Sequence, residues 1–418
     1  MRKTLIPVLA VVALVLVSCG GETTGDTTTA PPETTPTTAA PETTSPDEPT
    51  TTEGPDTTDA PMAEAPEGPV TLAAMGPFTG PAASIGQEQL NFARMAVDNF
   101  NEETGWNVEV FEGDTELDAS RAVTVAEGII SDSDVYGVVG PAGSQEVEAV
   151  GQMMTEANLA FISPSATGTD LSTSGFDSFF RVVPTDDVQG PTIGNYILEV
   201  LGASTVFIID DQTSYSVGLA DQIETALTDG GAEVVGRESV TQDLSDFSSL
   251  ATTIGSTDAE VVAFPGQIAS QGAVLARALQ DQGIDATIFG GDGFFSEDDF
   301  IEAAGGATEG DYVSSFAPDI TGIPEAEEIA NQFEEEHGNF GTFGPPTYVS
   351  ARVIVEAMQR AFEANGELDR ASVLEEVAAT DMTNTILGGS LSFEDDGDVE
   401  GATFYIFRVE NGEFVLDS

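Results

Sequence analysis

Residues 136–167 read YGVVGPAGSQEVEAVGQMMTEANLAFISPSAT. The run from Tyr136 to Gly140 is short, apolar and closed by Gly140-Pro141, which predicts a buried strand ending in a tight turn. A helix follows from about Ser144 to Ala157, and Ala160 to Ser163 forms the next short apolar run. Strand, turn, helix and strand in that order make a parallel pair with a crossover helix, because parallel neighbours need a long connection.

Working outward, the unit recurs. Upstream, a strand at Val70 to Met75 leads through a Gly/Pro loop into a helix with Leu90, Ala93, Val97 and Phe100 on one face. A strand at Asn107 to Phe111 then precedes a helix carrying Ala122, Val125, Ala126 and Ile129. Downstream, helices at Gly190 to Leu201, Tyr215 to Asp229 and Gln267 to Gln282 are interleaved with strands at Thr205 to Asp210, Glu233 to Val240, Val261 to Phe264 and Thr287 to Gly290. This alternation predicts an α/β protein of two doubly wound lobes, their parallel sheets covered on both faces. Ligands of such sheets collect outside the carboxyl ends of the strands, which directs attention to the loops after Met75, Gly140, Ser163, Phe264 and Gly290.

The N-terminus sets the compartment. Arg2 and Lys3 precede an apolar run from Leu5 to Val17, too short for a comfortable membrane span, which ends in Leu16-Val17-Ser18-Cys19. Residues 1–18 are therefore expected to be a signal peptide. The tetrapeptide resembles the lipobox of bacterial lipoproteins, which implies an acylated Cys19 and a lipid anchor on the outer face of the cytoplasmic membrane. Cys19 is the only cysteine, so an intramolecular disulfide is impossible. Residues 19–69 are mostly Thr, Pro, Glu, Ala, Asp and Gly, with almost nothing to bury, and read as a disordered stalk. At about 3.1 Å per residue in polyproline-like conformation it would reach roughly 100 Å or more from the anchor.

The formal charge is −62 and the only lysine is Lys3, which removes nucleic acid from the expected partners. The same lack of lysine removes phosphate loops, Schiff bases and Ser-x-x-Lys nucleophiles from the mature chain. His337, the only histidine, precedes Gly338 and reads as a helix-end cation rather than a general base. No Gly-x-Ser-x-Gly elbow is present and no His/Cys metal site can be assembled. Glu394 to Asp398 has its glycine in the wrong place for a calcium loop and reads as a hairpin turn. A non-enzyme without cofactor or metal is expected.

Several marks carry a family resemblance: Gly76-Pro77-Phe78-Thr79-Gly80-Pro81, Ile85-Gly86-Gln87, Ala96 to Asn101, Val138-Val139-Gly140-Pro141, Ile162 to Thr167, Arg181 to Gly190, and Phe393 to Asp398. In order and spacing the chain from Val70 onward resembles the substrate-binding proteins of branched-chain amino acid ABC transporters, the Leu/Ile/Val-binding type with the type I periplasmic binding fold. The resemblance implies two lobes joined by a three-strand hinge. It also implies that Ser144, Ala166 and Thr167 hold a ligand α-carboxylate and that Asp292 meets its ammonium, with Asp186 a second candidate. Tyr215 matches a common pocket tyrosine. Ile85 and Gln267 stand where Leu/Ile/Val binders carry aromatic residues, which turns the expectation toward a polar or amide-bearing ligand.

Read from the residues alone, Ser144 follows a strand and a Gly/Pro turn and opens a helix, where a hydroxyl and unpaired N–H groups make an anion site. Serine and threonine at such positions also serve as caps or turn residues, and both roles stay open. An amino-acid ligand needs a partner for its ammonium, since an unpaired buried charge is costly.

The expected limits are 70–185 with 316–398 for the first lobe and 186–315 with 399–418 for the second. The expected action is closure of the lobes on an amino acid or related amide by a monomer that delivers it to ABC permease subunits. The alternative is a sensory surface protein of the same fold that signals to a receptor.

Overall fold

The computed structural model describes Ala65–Asp417. The signal segment, Cys19 and nearly all of the stalk lie outside the described residues.

Five strands near the N-terminus form one parallel sheet: β1 (Val70–Gly76), β2 (Val108–Asp114), β3 (Val135–Val139), β4 (Ala160–Ser163) and β5 (Phe179–Arg181), in the order β2-β1-β3-β4-β5. The helices between them are α1 (Ala83–Thr104), α2 (Ala119–Ser131) and α3 (Ser144–Glu156). Successive side chains of a strand point to opposite faces, and here both faces are buried. Leu72, Val139 and Ile162 join a core with Phe100, Ile354 and Met358, while Ala73, Val138 and Phe161 join another with Ala126, Val147 and Met154.

The second sheet continues with β6 (Thr205–Asp210), β7 (Glu233–Ser239), β8 (Val261–Phe264), β9 (Thr287–Gly290) and β10 (Tyr312–Ser315), reached through α4 (Asp186–Glu199), α5 (Ser214–Asp229), α6 (Ser248–Ile254) and α7 (Ala269–Asp281). Its faces divide in the same way. Phe207, Val262 and Ile288 pack on one side, Ile208, Ala263 and Phe289 on the other. The chain then returns to the first lobe with α8 (Glu327–His337), α9 (Gly344–Asn365) and α10 (Arg370–Ala378), and with a short antiparallel pair, β11 (Asp381–Met382) and β12 (Leu391–Ser392). Finally β13 (Tyr405–Glu410) and β14 (Glu413–Leu416) join the second sheet, whose order is β14-β13-β10-β9-β8-β6-β7. The chain thus passes between the two sheets three times.

Two expectations need correction. The second sheet is not wholly parallel, because β13 runs antiparallel to β10 and to β14. β13 arrives from the first lobe and not over a crossover helix of its own sheet, so nothing imposes the parallel sense on it. Helix α4 begins at Asp186 rather than Gly190, with Pro191 tolerated in its interior. Pro191 lies in the second turn, where its fixed φ suits the helix and the lost amide costs one bond.

Local chemistry sets the helix ends. Asp118 and Thr213 cap α2 and α5 by accepting from the N–H groups of Arg121 and Ser216. Helix α1 stops at Gly105 in the left-handed conformation. Gly140 is required at the end of β3, because a Cβ there would lie 2.0 Å from the Met75 carbonyl oxygen.

Candidate functional site

The loops at the carboxyl ends of the strands meet in one cleft. Ile85, Ser144, Tyr215, Gln267 and Asp292 line it, together with Leu117, Ala142, Ser165, Gly293 and Phe343. Ala166, Thr167 and Asp186 are buried and are not among the residues that line it.

On the second lobe, Asp292 follows β9 directly. Its Oδ1 accepts from the Tyr215 hydroxyl at 2.9 Å and from Gln189 Nε2 at 2.7 Å, and Gln189 Nε2 also donates to Ser314 Oγ at 2.8 Å. The close approach of Tyr215 depends on Gly291, where a Cβ would lie 2.3 Å from the tyrosine oxygen. Burial pushes the Asp292 carboxyl up to about 6, against the Gln189 and Tyr215 hydrogen bonds that favour its charged form.

Asp186, the first residue of α4, donates its N–H to the Thr167 carbonyl at 2.8 Å. Neither of its carboxyl oxygens, nor the Thr167 hydroxyl, has a partner at full hydrogen-bond geometry among the described residues. Burial pushes this carboxyl up to about 8, the adjacent Thr167 hydroxyl opposing and the Asp292 charge adding to the rise. Two buried carboxyls with elevated pKa values beside a cleft form a place where an added cation lowers the free energy of both.

On the first lobe, Ser144 opens α3 and its Oγ accepts the Gly168 N–H at 3.1 Å, tying the helix N-terminus to the loop after β4. The Ala166 N–H donates to Ser163 Oγ at 2.9 Å, so this amide is already used inside the loop. Ser165 Oγ accepts from Gln89 Nε2 and donates to the Ala142 carbonyl, each at 2.9 Å. Glu146, three residues after Gly143, accepts that glycine's N–H at 2.9 Å and so caps α3. Burial pushes Glu146 up to about 7, with the Thr115 hydroxyl and the Gly143 N–H opposing.

Arg181 braces the loop from below. Its guanidinium is fully buried and donates to the carbonyls of Ala166 at 3.2 Å and Gly168 at 2.7 Å, to Ser172 Oγ at 2.5 Å and to Asp398 Oδ1 at 2.5 Å. Across the cleft, Gln145 Nε2 donates to Gln267 Oε1 at 2.9 Å, linking the lobes. Gln242 Nε2 also reaches Gln267 Oε1 at 3.1 Å, and Asp211 Oδ2 accepts the Gln267 N–H at 2.9 Å. The cleft keeps a cavity of about 20 Å³, which suits one water and is too small for an amino acid.

The sequence reading missed Gln145, Gln189, Arg181, Leu117 and Phe343 as parts of this site. Gln189 and Arg181 lie inside the motif from Arg181 to Gly190, but nothing in the one-dimensional pattern signals their partners.

Two lobes with a cleft of fixed hydrogen-bonding groups define a binding protein that closes around a small solute. The family model described as periplasmic binding protein matches residues 69–413, and the chain belongs to that family. Among similar proteins, the Leu/Ile/Val-binding protein homolog 3 of Brucella melitensis is 29% identical over 357 residues, 85% of this chain and 95% of the relative. The leucine-, isoleucine-, valine-, threonine- and alanine-binding protein of Pseudomonas aeruginosa is 28% identical over 343 residues, 81% of this chain and 89% of the relative. The branched-chain amino acid transporter substrate binding protein LivJ of Streptococcus pneumoniae, solved with isoleucine, superposes with a TM-score of 0.75 at 25% identity, covering 84% of this chain and 98% of its own.

Proposed function

We propose that this chain is an extracytoplasmic solute-binding lipoprotein that captures an amino acid, or a closely related amide, between its lobes and delivers it to the permease of an ABC importer without altering it. The observation that carries the reading is the pair of buried carboxyls, Asp186 and Asp292, the first with no partner at full hydrogen-bond geometry among the described residues and the second held by Tyr215 and Gln189. An α-ammonium group between them would supply the missing charge. Ser144, Thr167 and the N-terminus of α3 would take the α-carboxylate, with Ala166 contributing shape rather than its amide. Branched-chain amino acids are the first ligands to try, because the Brucella, Pseudomonas and Streptococcus relatives are named for them. Gln267 and its partner Gln145 argue for side chains that exchange hydrogen bonds with an amide.

In this reading Cys19 carries the lipid anchor, residues 19–69 form the stalk, the lobes are 70–185 with 316–398 and 186–315 with 399–418, and the chain works as a monomer. Ligand contacts to both lobes favour the closed arrangement by differential affinity, and closure is what the permease recognises. Calorimetric titration with leucine, isoleucine, valine, glutamine and asparagine tests the reading. Saturable 1:1 binding of at least one is expected, and silence across the whole panel would overturn it.

A further inference from the structure

We propose a second binding site, for an organic cation with an aromatic or apolar body, in a cavity of about 700 Å³ that lies between the lobes beside the amino-acid cleft. Ile85 and Phe343 belong to the lining of both and form the partition.

The walls are rich in aromatic side chains: six of the chain's 24 phenylalanines line this one cavity. Each lobe supplies a stacked or edge-on set. Phe333 and Phe340 meet at 5.6 Å between ring centres on the first lobe, and Phe295 stacks on Phe414 at 4.3 Å on the second. Phe295, Phe340 and Phe414 are only partly covered, where few large apolar side chains are exposed among the described residues. Partly exposed aromatic surface in a half-open groove whose lining is otherwise polar is the kind of surface that receives an amphipathic ligand.

The rim selects the charge. Glu297, Asp298 and Glu302 from the second lobe and Asp319 and Glu334 from the first line the cavity, and His337 is the single basic side chain among the lining residues. These five carboxylates are exposed and the partly buried Glu88 is a sixth, so the lining favours a cation over an anion. Aromatic faces attract an ammonium through the ring quadrupole, and the carboxylates add to that field. Asn339 Nδ2 donates to Glu297 Oε2 at 3.4 Å, tying the two walls together at the rim.

The test is titration of the full-length chain with phenethylammonium, its neutral analogue 2-phenylethanol and the anion 3-phenylpropionate. Phenethylammonium is expected to bind 1:1, and both analogues at least tenfold more weakly. Phe340→Ala with Phe414→Ala should weaken the cation at least tenfold, as should the exposed pair Glu334→Gln with Asp319→Asn, which leaves the aromatic packing intact. Asp292→Ala should leave it unchanged. Absence of binding, equal binding of the neutral analogue, or loss of the cation in Asp292→Ala with retention in Glu334→Gln/Asp319→Asn would each overturn the proposal. The last outcome would place the cation in the amino-acid cleft and leave the primary reading standing.

Discussion

Arg181 and Asp398 are 217 positions apart in the chain and meet at 2.5 Å beneath the loop after β4. The guanidinium has no exposure and uses its remaining N–H groups on the carbonyls of Ala166 and Gly168 and on Ser172. A buried arginine that satisfies two loop carbonyls fixes the direction of the peptide planes and therefore where the Thr167 hydroxyl points. Arg181→Met is expected to lower stability by about 3–5 kcal/mol, the range for breaking a buried ion pair, because Asp398 and both carbonyls lose their donor. Urea denaturation measures it. A loss under about 1 kcal/mol, within the range of a surface pair, would show that the brace is not structural.

Asp292 should trade stability for binding. Asp292→Asn keeps a group of the same shape for Tyr215 and Gln189 and removes a buried charge. The ligand-free variant is expected to melt higher than the parent, while amino-acid affinity falls about a hundredfold or more, as when a buried charged partner is removed. Melting curves and titrations on the same preparation check both signs.

The buried carboxyls also set the response to pH. Asp186, Asp292 and Glu146 have folded-state pKa values of about 8, 6 and 7, each above the ordinary carboxyl range. The folded chain therefore holds more protons than the unfolded one between the ordinary carboxyl pKa and these values, and stability falls as pH rises through that window. The ligand-free protein is expected to be more stable at pH 5 than at pH 8.5, measured by chemical denaturation. Amino-acid affinity should run the other way and fall as pH drops through about 8 and further through about 6, where Asp186 and then Asp292 must shed a proton to receive an ammonium. Stability that climbs steadily from pH 5 to pH 8.5 would contradict the assignment.

Gly291→Ala tests the tyrosine contact. The added methyl would sit 2.3 Å from the Tyr215 oxygen, so the ring has to withdraw and Asp292 loses one of its two donors. Weaker amino-acid binding with little change in far-UV circular dichroism is the expected result.

The parallel units were legible in the sequence because short apolar runs alternate with stretches of helical period, and β8 and β9 lie where that contrast is sharpest. Strand β5 has three residues and α6 seven, too few for a period to show. The direction of β13 was not legible, since hydropathy along a strand carries no sense of its neighbour's orientation. Gly190-Pro191 reads as a helix start, which hid the first turn of α4 and with it the setting of Asp186 and Gln189. In the site, Ser144 was singled out from its strand-end turn, and Tyr215, Gln267, Asp292 and Ile85 from the family resemblance; the structure places all five in the lining of the cleft. Gln189 escaped because its role is made by partners 103 and 125 positions away.

In the proposed reading the cleft holds an α-ammonium group against Asp186 and Asp292. The most direct measurement is calorimetric titration of the chain at neutral pH with its best amino acid and with the N-acetyl derivative of that amino acid, which keeps the carboxylate and side chain and removes the charge. The expected result is 1:1 binding of the amino acid and at least hundredfold weaker binding of the derivative, because a buried charged partner is lost. Equal affinity for the two would contradict it.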